Sequence, residues 1–147
     1  MTVISRGTAK KDAALGSLGA HDYIDSTDPA AMAAAANRFD FILDTVSAVH
    51  DVNALVSLLN HDGTLCLVGA PPTPHAIGAF PLLFGRRSIC GSLIGGIKET
   101  QDMLDFCGRE NIVCDVEIIS ADQINEAYER TMKSDVRYRF VIDTATL

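Results

Sequence analysis

Apolar residues in this chain fall into short clusters separated by stretches with helical spacing, which predicts strand and helix in alternation from the first residues onward. Residues 2–5 (TVIS) are a β-prone run, and residues 10–18 follow with helical periodicity and a stop at Gly19. Residues 21–25 read as a second strand closed by Ser26, Thr27 and Asp28. Pro29 then opens an alanine-rich helix to residue 36, because proline suits a first turn. A third strand at residues 39–46 (FDFILDTV) leads to a helix over 52–59 and a tight turn at His61-Asp62-Gly63. Residues 64–69 (TLCLVG) are almost wholly apolar, the pattern of a strand covered on both faces. Proline, glycine and histidine in residues 71–81 predict a loop, before a strand over 87–94 and a helix over 98–107. Residues 113–119, 121–133 and 136–142 then predict a separate strand-helix-strand segment.

Strands separated by helices indicate βαβ units, and right-handed crossovers place the helices on both faces of a parallel sheet. No repeat or low-complexity linker interrupts the pattern. The 147 residues suffice for one well-formed core. A hydrophobic fraction of 48% excludes a disordered acidic chain, and a net charge of -7 argues against nonspecific nucleic-acid binding, which needs a basic face. Cys66, Cys90, Cys107 and Cys114 include no C-x-x-C pair and read as reduced, buried thiols. The opening MTVISRGTAKK lacks the apolar run of a leader, and no stretch reaches about 18 apolar residues, the length that crosses a bilayer. The expectation is a soluble, cytoplasmic protein with neither nucleic-acid nor membrane partners.

Ligands of an open parallel sheet bind beyond the carboxyl ends of the strands, so the residues after each strand are the candidates. The first strand is followed by Ser5, Arg6, Gly7, Thr8, Ala9, Lys10 and Lys11, with no acid before Asp12. At this position of a dinucleotide fold an acid selects a ribose 2′-hydroxyl, whereas hydroxyls and cations select a 2′-phosphate. Arg6 offers a planar fork and Lys10 and Lys11 offer point charges; a solvated basic start to a helix is the alternative reading. Later strands are followed by Asp44-Thr45-Val46-Ser47, by Val68-Gly69-Ala70-Pro71, and by Gly91-Ser92-Leu93-Ile94-Gly95-Gly96. Each is an ordinary turn or a binding segment, and glycine there lets a backbone approach a ligand closely. His21, His50, His61 and His75 are scattered without ligand spacing and read as surface or turn residues.

Three stretches, FILDTVSAVHDVNALVSLLNHDGTLCLVGAP, GRRSICGSLIGGIKETQDMLDFCGRENI and DVRYRFVID, resemble the cinnamyl-alcohol-dehydrogenase-like branch of the zinc-containing medium-chain alcohol dehydrogenases, in its C-terminal portion. The resemblance implies an α/β fold. Residues 1–95 would form a partial dinucleotide-binding domain, an incomplete Rossmann-like parallel sheet lacking its first strand and glycine loop. Residues 96–147 would be a strand-helix-strand segment that packs with the catalytic domain. It implies oxidoreductase chemistry between alcohols and aldehydes with NADP as cofactor and a catalytic zinc. By position, Ser5, Arg6, Gly7, Lys10 and Lys11 would surround the adenosine 2′-phosphate, although the family shows serine or threonine where Arg6 and Gly7 stand. Thr45 and Val46 would lie beside the adenine and ribose. Gly69, Ala70, Ser92, Leu93 and Ile94 would line the nicotinamide, and Arg139 would face the cofactor. The strand from Ile89 to Leu93 would join two copies in a homodimer.

The 11 glycines include no G-x-G, so the loop that brings backbone N–H groups to a pyrophosphate is absent from this sequence, as are metal ligands. The expectation is a chain that is not catalytically competent alone. The alternative is a non-catalytic nucleotide-binding or dimerising remnant of the family. Without a central strand, two parallel edges would be left unpaired.

Overall fold

In the computed structural model, which describes residues 1–147, β1 (Thr2–Ser5) and β2 (Asp22–Asp25) pair in parallel, with Thr2 opposite Asp22 and Ser5 opposite Asp25. Alternate residues of these strands serve opposite faces. Val3 and Tyr23 pack with Ala14 of α1 (Lys11–Leu15) and with Ala20. Ile4 and Ile24 pack on the other side with Ala31 and Met32 of α2 (Pro29–Ala34) and with Ala35. This sheet therefore carries a helix on each face. Asp28 caps α2 by accepting from the Ala30 N–H at 2.9 Å. The helix α1 ends well before the expected residue 18: Gly16 caps it, the Leu18 N–H turns back to the Ala13 carbonyl, and Gly19 takes φ +65°.

A second parallel sheet has the order β3 (Phe39–Asp44), β4 (Leu59–Leu67), β5 (Ser88–Gly91). The helix α3 (Val52–Leu58), capped by Asp51, packs on the face that carries Ile42, Leu65 and Ile89. Val52, Val56, Leu58, Leu59 and Leu65 are essentially sealed from solvent there. Each such side chain is worth about 1.5–3 kcal/mol of burial, so this layer dominates the stability of the unit. On the opposite face of β3, Phe41 and Leu43 are more than half exposed.

Two local expectations need correction. The turn at His61-Asp62-Gly63 is a bulge inside β4: the partner of Phe39 is Leu59, but the partner of Phe41 is Thr64. Asp62 takes φ 63° there and pairs with Arg86 at 3.0 Å, so its turn chemistry is used without ending the strand. Residues 71–81 are not wholly loop, because α4 (Ala79–Gly85) begins before Pro81, which sits in its first turn. Asn53 clips the remaining loop, donating to the Ala76 carbonyl at 2.8 Å and accepting from the Gly78 N–H at 2.8 Å.

The two sheets share the core formed by Ile24, Ala35, Ile42, Val52 and Val56, yet β1 and β3 are not hydrogen-bonded to each other. Each has one edge without a strand partner. Together with their helices they form one compact unit, Met1–Leu93.

The second unit, Ile94–Leu147, contains α5 (Ile97–Arg109), β6 (Glu117–Ile119), α6 (Ile124–Met132) and β7 (Phe140–Ile142), with β6 and β7 paired in parallel. Arg130 ties it together: it donates to Glu117 at 2.7 Å and Asp135 at 3.1 Å and lies over the Phe140 ring. The Arg137 N–H, followed by the Arg130 guanidinium, holds the Glu117 carboxyl below its ordinary pKa. No helix of the chain is long and apolar enough to cross a membrane.

Candidate functional site

The loop after β1 is held by β2. The Asp25 carboxylate accepts from the Gly7 N–H at 2.8 Å and from the Thr27 N–H and hydroxyl. The Tyr23 hydroxyl donates to the Gly7 carbonyl at 2.7 Å. Gly7 sits at φ +66°, where a side chain is strained, so glycine suits the bend. Hydrogen bonds from Thr27, then from Gly7, keep the Asp25 pKa low. Ser5 ends β1, and Arg6, Lys10 and Lys11 are exposed on and beside this bend. None of the three cations is in an ion pair, so their charge is available to an anion.

The ends of β3, β4 and β5 converge around Asp44, which is 4% exposed. Its carbonyl accepts from the Val68 and Gly69 N–H groups at 2.9 and 3.1 Å, and its carboxylate accepts from the Val46 N–H at 2.9 Å. His50 donates from Nε2 to the same carboxylate at 2.7 Å and from Nδ1 to the Ala48 carbonyl at 2.9 Å. A neutral imidazole has one N–H and this one faces two acceptors, so the arrangement favours the imidazolium. Burial pushes the His50 pKa down, but the Ala48 carbonyl and the Asp44 and Asp51 carboxylates outweigh it, and the net shift is upward. The His75 ring meets His50 edge-on at 5.0 Å, with its Nε2 buried and unpartnered. His50 and His75 are thus neither scattered nor simply surface residues, which corrects the sequence reading.

Gly69 is needed because two main chains touch. A Cβ there would lie 2.3 Å from the Val46 carbonyl oxygen and 2.5 Å from its carbon. Beyond this contact, Leu67, Val68, Gly69, Ala70, Gly91, Ser92 and Leu93 line an open depression of about 340 Å³. The Ser92 N–H bonds to the Leu67 carbonyl at 3.1 Å, which fixes the two sides of the depression. Thr45 and Val46 are exposed at the end of β3. A second hollow, lined by Asn37, Asn60, His61, Phe84, Gly85 and Arg87, lies at the opposite strand ends, where Arg87 bonds to Asn37, Pro81 and Asn60.

The first unit thus brings together Gly69, Ala70, Ser92 and Leu93, with Val46 against Gly69, and separately groups Ser5, Arg6, Gly7, Lys10 and Lys11. Ile94 and Arg139 belong to the second unit, where both side chains are exposed and the Arg139 carbonyl accepts from the Glu117 N–H at 3.0 Å. The residues that sequence reasoning left out are Tyr23, Asp25, His50 and His75. For His50 a signal existed, a histidine six residues after an aspartate at a strand end.

Tested against the groups the resemblance implies, the donor set divides. Unpaired cations and a glycine-bearing depression fit the two ends of a phosphorylated dinucleotide. Zinc does not fit, because no group of three or more His, Cys, Asp or Glu side chains is placed to hold a metal ion.

Comparison with known proteins gives a consistent picture. Residues 1–109 match the family model described as zinc-binding dehydrogenase. The Bacillus subtilis (strain 168) protein named "Probable formaldehyde dehydrogenase AdhA" is 56% identical over 147 residues, covering all of this chain and 42% of that protein. A cinnamyl alcohol dehydrogenase structure from Sorghum bicolor superposes with a TM-score of 0.93 at 45% identity, over 98% of this chain and 41% of that one. The Helicobacter pylori cinnamyl alcohol dehydrogenase structure complexed with NADP(H) superposes with a TM-score of 0.81 at 35% identity, again over 98% and 41%. The chain therefore spans about two fifths of the length of the relatives it matches.

Proposed function

Because the chain belongs to the zinc-binding dehydrogenase family, in its cinnamyl-alcohol-dehydrogenase-like branch, we propose that it is the NADP-recognising portion of an alcohol dehydrogenase or aldehyde reductase. The observation that carries this reading is the bend after β1, where Arg6, Lys10 and Lys11 are free of ion pairs and no acid takes the ribose-binding position. These cations take the adenosine 2′-phosphate, with Ser5 and the Gly7 backbone beside it. Thr45 and Val46 flank the adenine and ribose, and the depression at Gly69, Ala70, Ser92 and Leu93 takes the nicotinamide. The complex of the Helicobacter pylori relative with NADP(H) supports the choice of cofactor.

Hydride transfer in this reading needs groups outside the matched two fifths of the relatives, since the residues here do not fit a zinc ion. The chain by itself then binds NADPH weakly and reduces no aldehyde. We assign the outer edge of β5 to self-association by edge-to-edge strand pairing, through Ile89 to Gly91 and not as far as the expected Leu93, because the strand ends at Gly91 where the Ser92 N–H turns to the Leu67 carbonyl. We assign the cell compartment to the cytoplasm. Amide chemical-shift mapping during an NADPH titration tests the assignment. Shifts should concentrate at Arg6, Gly7, Lys10, Lys11, Gly69, Ala70, Ser92 and Leu93. Shifts confined to the opposite hollow at Asn60 and Arg87 would sink it, and NADPH-dependent aldehyde turnover by the purified chain would sink the claim of incompetence.

A further inference from the structure

The open face of the β3–β4–β5 sheet carries a pair of thiols that nothing above employs. Cys66 and Cys90 are direct partners in the parallel β4–β5 ladder. Adjacent strands lie about 4.8 Å apart, inside the roughly 4.4–6.8 Å Cα range that a disulfide spans. Their ladder neighbours Leu65 and Ile89 point into the core, so by the period-two alternation of strands Cys66 and Cys90 both project from the opposite face. Their accessibilities differ sharply. Cys66 is 9% exposed, whereas Cys90, on the outer strand, is open to solvent, and both are free thiols. Burial, reinforced by the neighbouring Cys90 thiol, pushes the Cys66 pKa up, so Cys66 waits as a thiol while Cys90 meets reagents first.

We propose that Cys66 and Cys90 form a redox-responsive pair that takes a small-molecule disulfide of the glutathione class as its oxidant. The Cys90 thiolate attacks one sulfur of the oxidant, forming a mixed disulfide and releasing one thiolate. The Cys66 thiol then loses its proton, attacks the Cys90 sulfur and expels the second thiolate, which leaves a Cys66–Cys90 bond. Two protein thiols are oxidised and one disulfide is reduced to two thiols, so atoms and electrons balance. The bond would staple β5 to β4 immediately below Leu67 and Gly91, at the base of the depression lined by those residues. Edge pairing between copies uses main-chain groups and leaves Cys90 on its face. The pair therefore remains available in a dimer.

The test uses the full chain with Cys107→Ser and Cys114→Ser, exposed to glutathione disulfide and followed by intact mass. Circular dichroism confirms that each variant is folded. The expected product is lighter by two hydrogens, reverts with a reductant, and yields a non-reduced digest in which the Cys66 and Cys90 peptides are joined. In that background, Cys66→Ala should stop at a stable glutathione adduct on Cys90, and Cys90→Ala should react at least tenfold more slowly than the two-thiol chain. A stable adduct with both cysteines present would overturn the pairing, as would a covalent dimer through Cys90 or no reaction at all. Equal reactivity of the Cys90→Ala variant would overturn the proposed order of attack.

Discussion

Replacing Gly69 with alanine probes the contact on which the ends of β3 and β4 depend. The added Cβ would sit 2.3 Å from the Val46 oxygen, 2.5 Å from its carbonyl carbon and 2.8 Å from its nitrogen. All three are main-chain atoms, so no rotamer change relieves the overlap, and one strand end must move by about 1 Å to restore van der Waals distance. That movement pulls on the Gly69–Asp44 hydrogen bond at 3.1 Å and the Ala70–Ser47 contact at 3.4 Å. Overpacking costs about 1–3 kcal/mol, and a stretched backbone bond adds about 1 kcal/mol. For a unit of this size each kcal/mol lowers Tm by about 4–8 °C, so a loss of roughly 8 °C or more is expected. Gly91→Ala is the matched control, because a Cβ there meets only the Leu67 oxygen at an ordinary 3.5 Å. Urea and thermal denaturation of both variants, monitored by circular dichroism, gives the comparison. Equal stability of the two variants, within about 0.5 kcal/mol, would refute the reasoning from backbone contact.

Three further outcomes follow from the same geometry. The folded-state pKa of His50 is raised above its unfolded value of about 6.5, so its stabilising contribution is complete below that pH and is lost as pH rises through the folded pKa. The stability gap between the parent chain and His50→Ala should therefore be larger near pH 5.5 than near pH 8.5, and a gap that widens with pH would contradict the Asp44–His50 pairing. Leu65→Ala removes a fully buried side chain between α3 and its sheet and should cost about 2–5 kcal/mol in denaturant unfolding. Arg6→Ala should weaken NADPH binding about tenfold or more by calorimetry while leaving NADH binding within about threefold, since a charge-assisted bond to phosphate contributes about 1.5–3 kcal/mol.

The sequence pattern locates the strands well because strand burial is a local, periodic property. Thr2–Ser5, Asp22–Asp25 and Phe39–Asp44 all begin within a residue of their expected starts. What it misses are features set by partners distant in sequence. The bulge at Asp62 depends on register against Phe39 and Phe41, and α4 hides in a proline-rich stretch because Pro81 is compatible with a first helical turn. The candidate site divides in the same way. Basic residues after β1 and glycines after β4 and β5 are visible as residue types at strand ends. The meeting of His50 and His75 is not, because residues 51–74 separate them and the loop is fastened just beyond His75 by the Asn53 clip, a contact distant in sequence. Likewise, Gly69 reads in sequence as room for a ligand, and the fold adds a demand that the sequence does not display, the crossing with the Val46 main chain.

Recognition of the 2′-phosphate by the bend after β1 is the central claim, and parallel calorimetric titrations of NADPH and NADH into the chain at low and moderate salt test it most directly. NADPH should bind tighter by about tenfold or more at low salt, with the preference shrinking as salt screens Arg6, Lys10 and Lys11. NADH binding as tightly as NADPH, or more tightly, would contradict it.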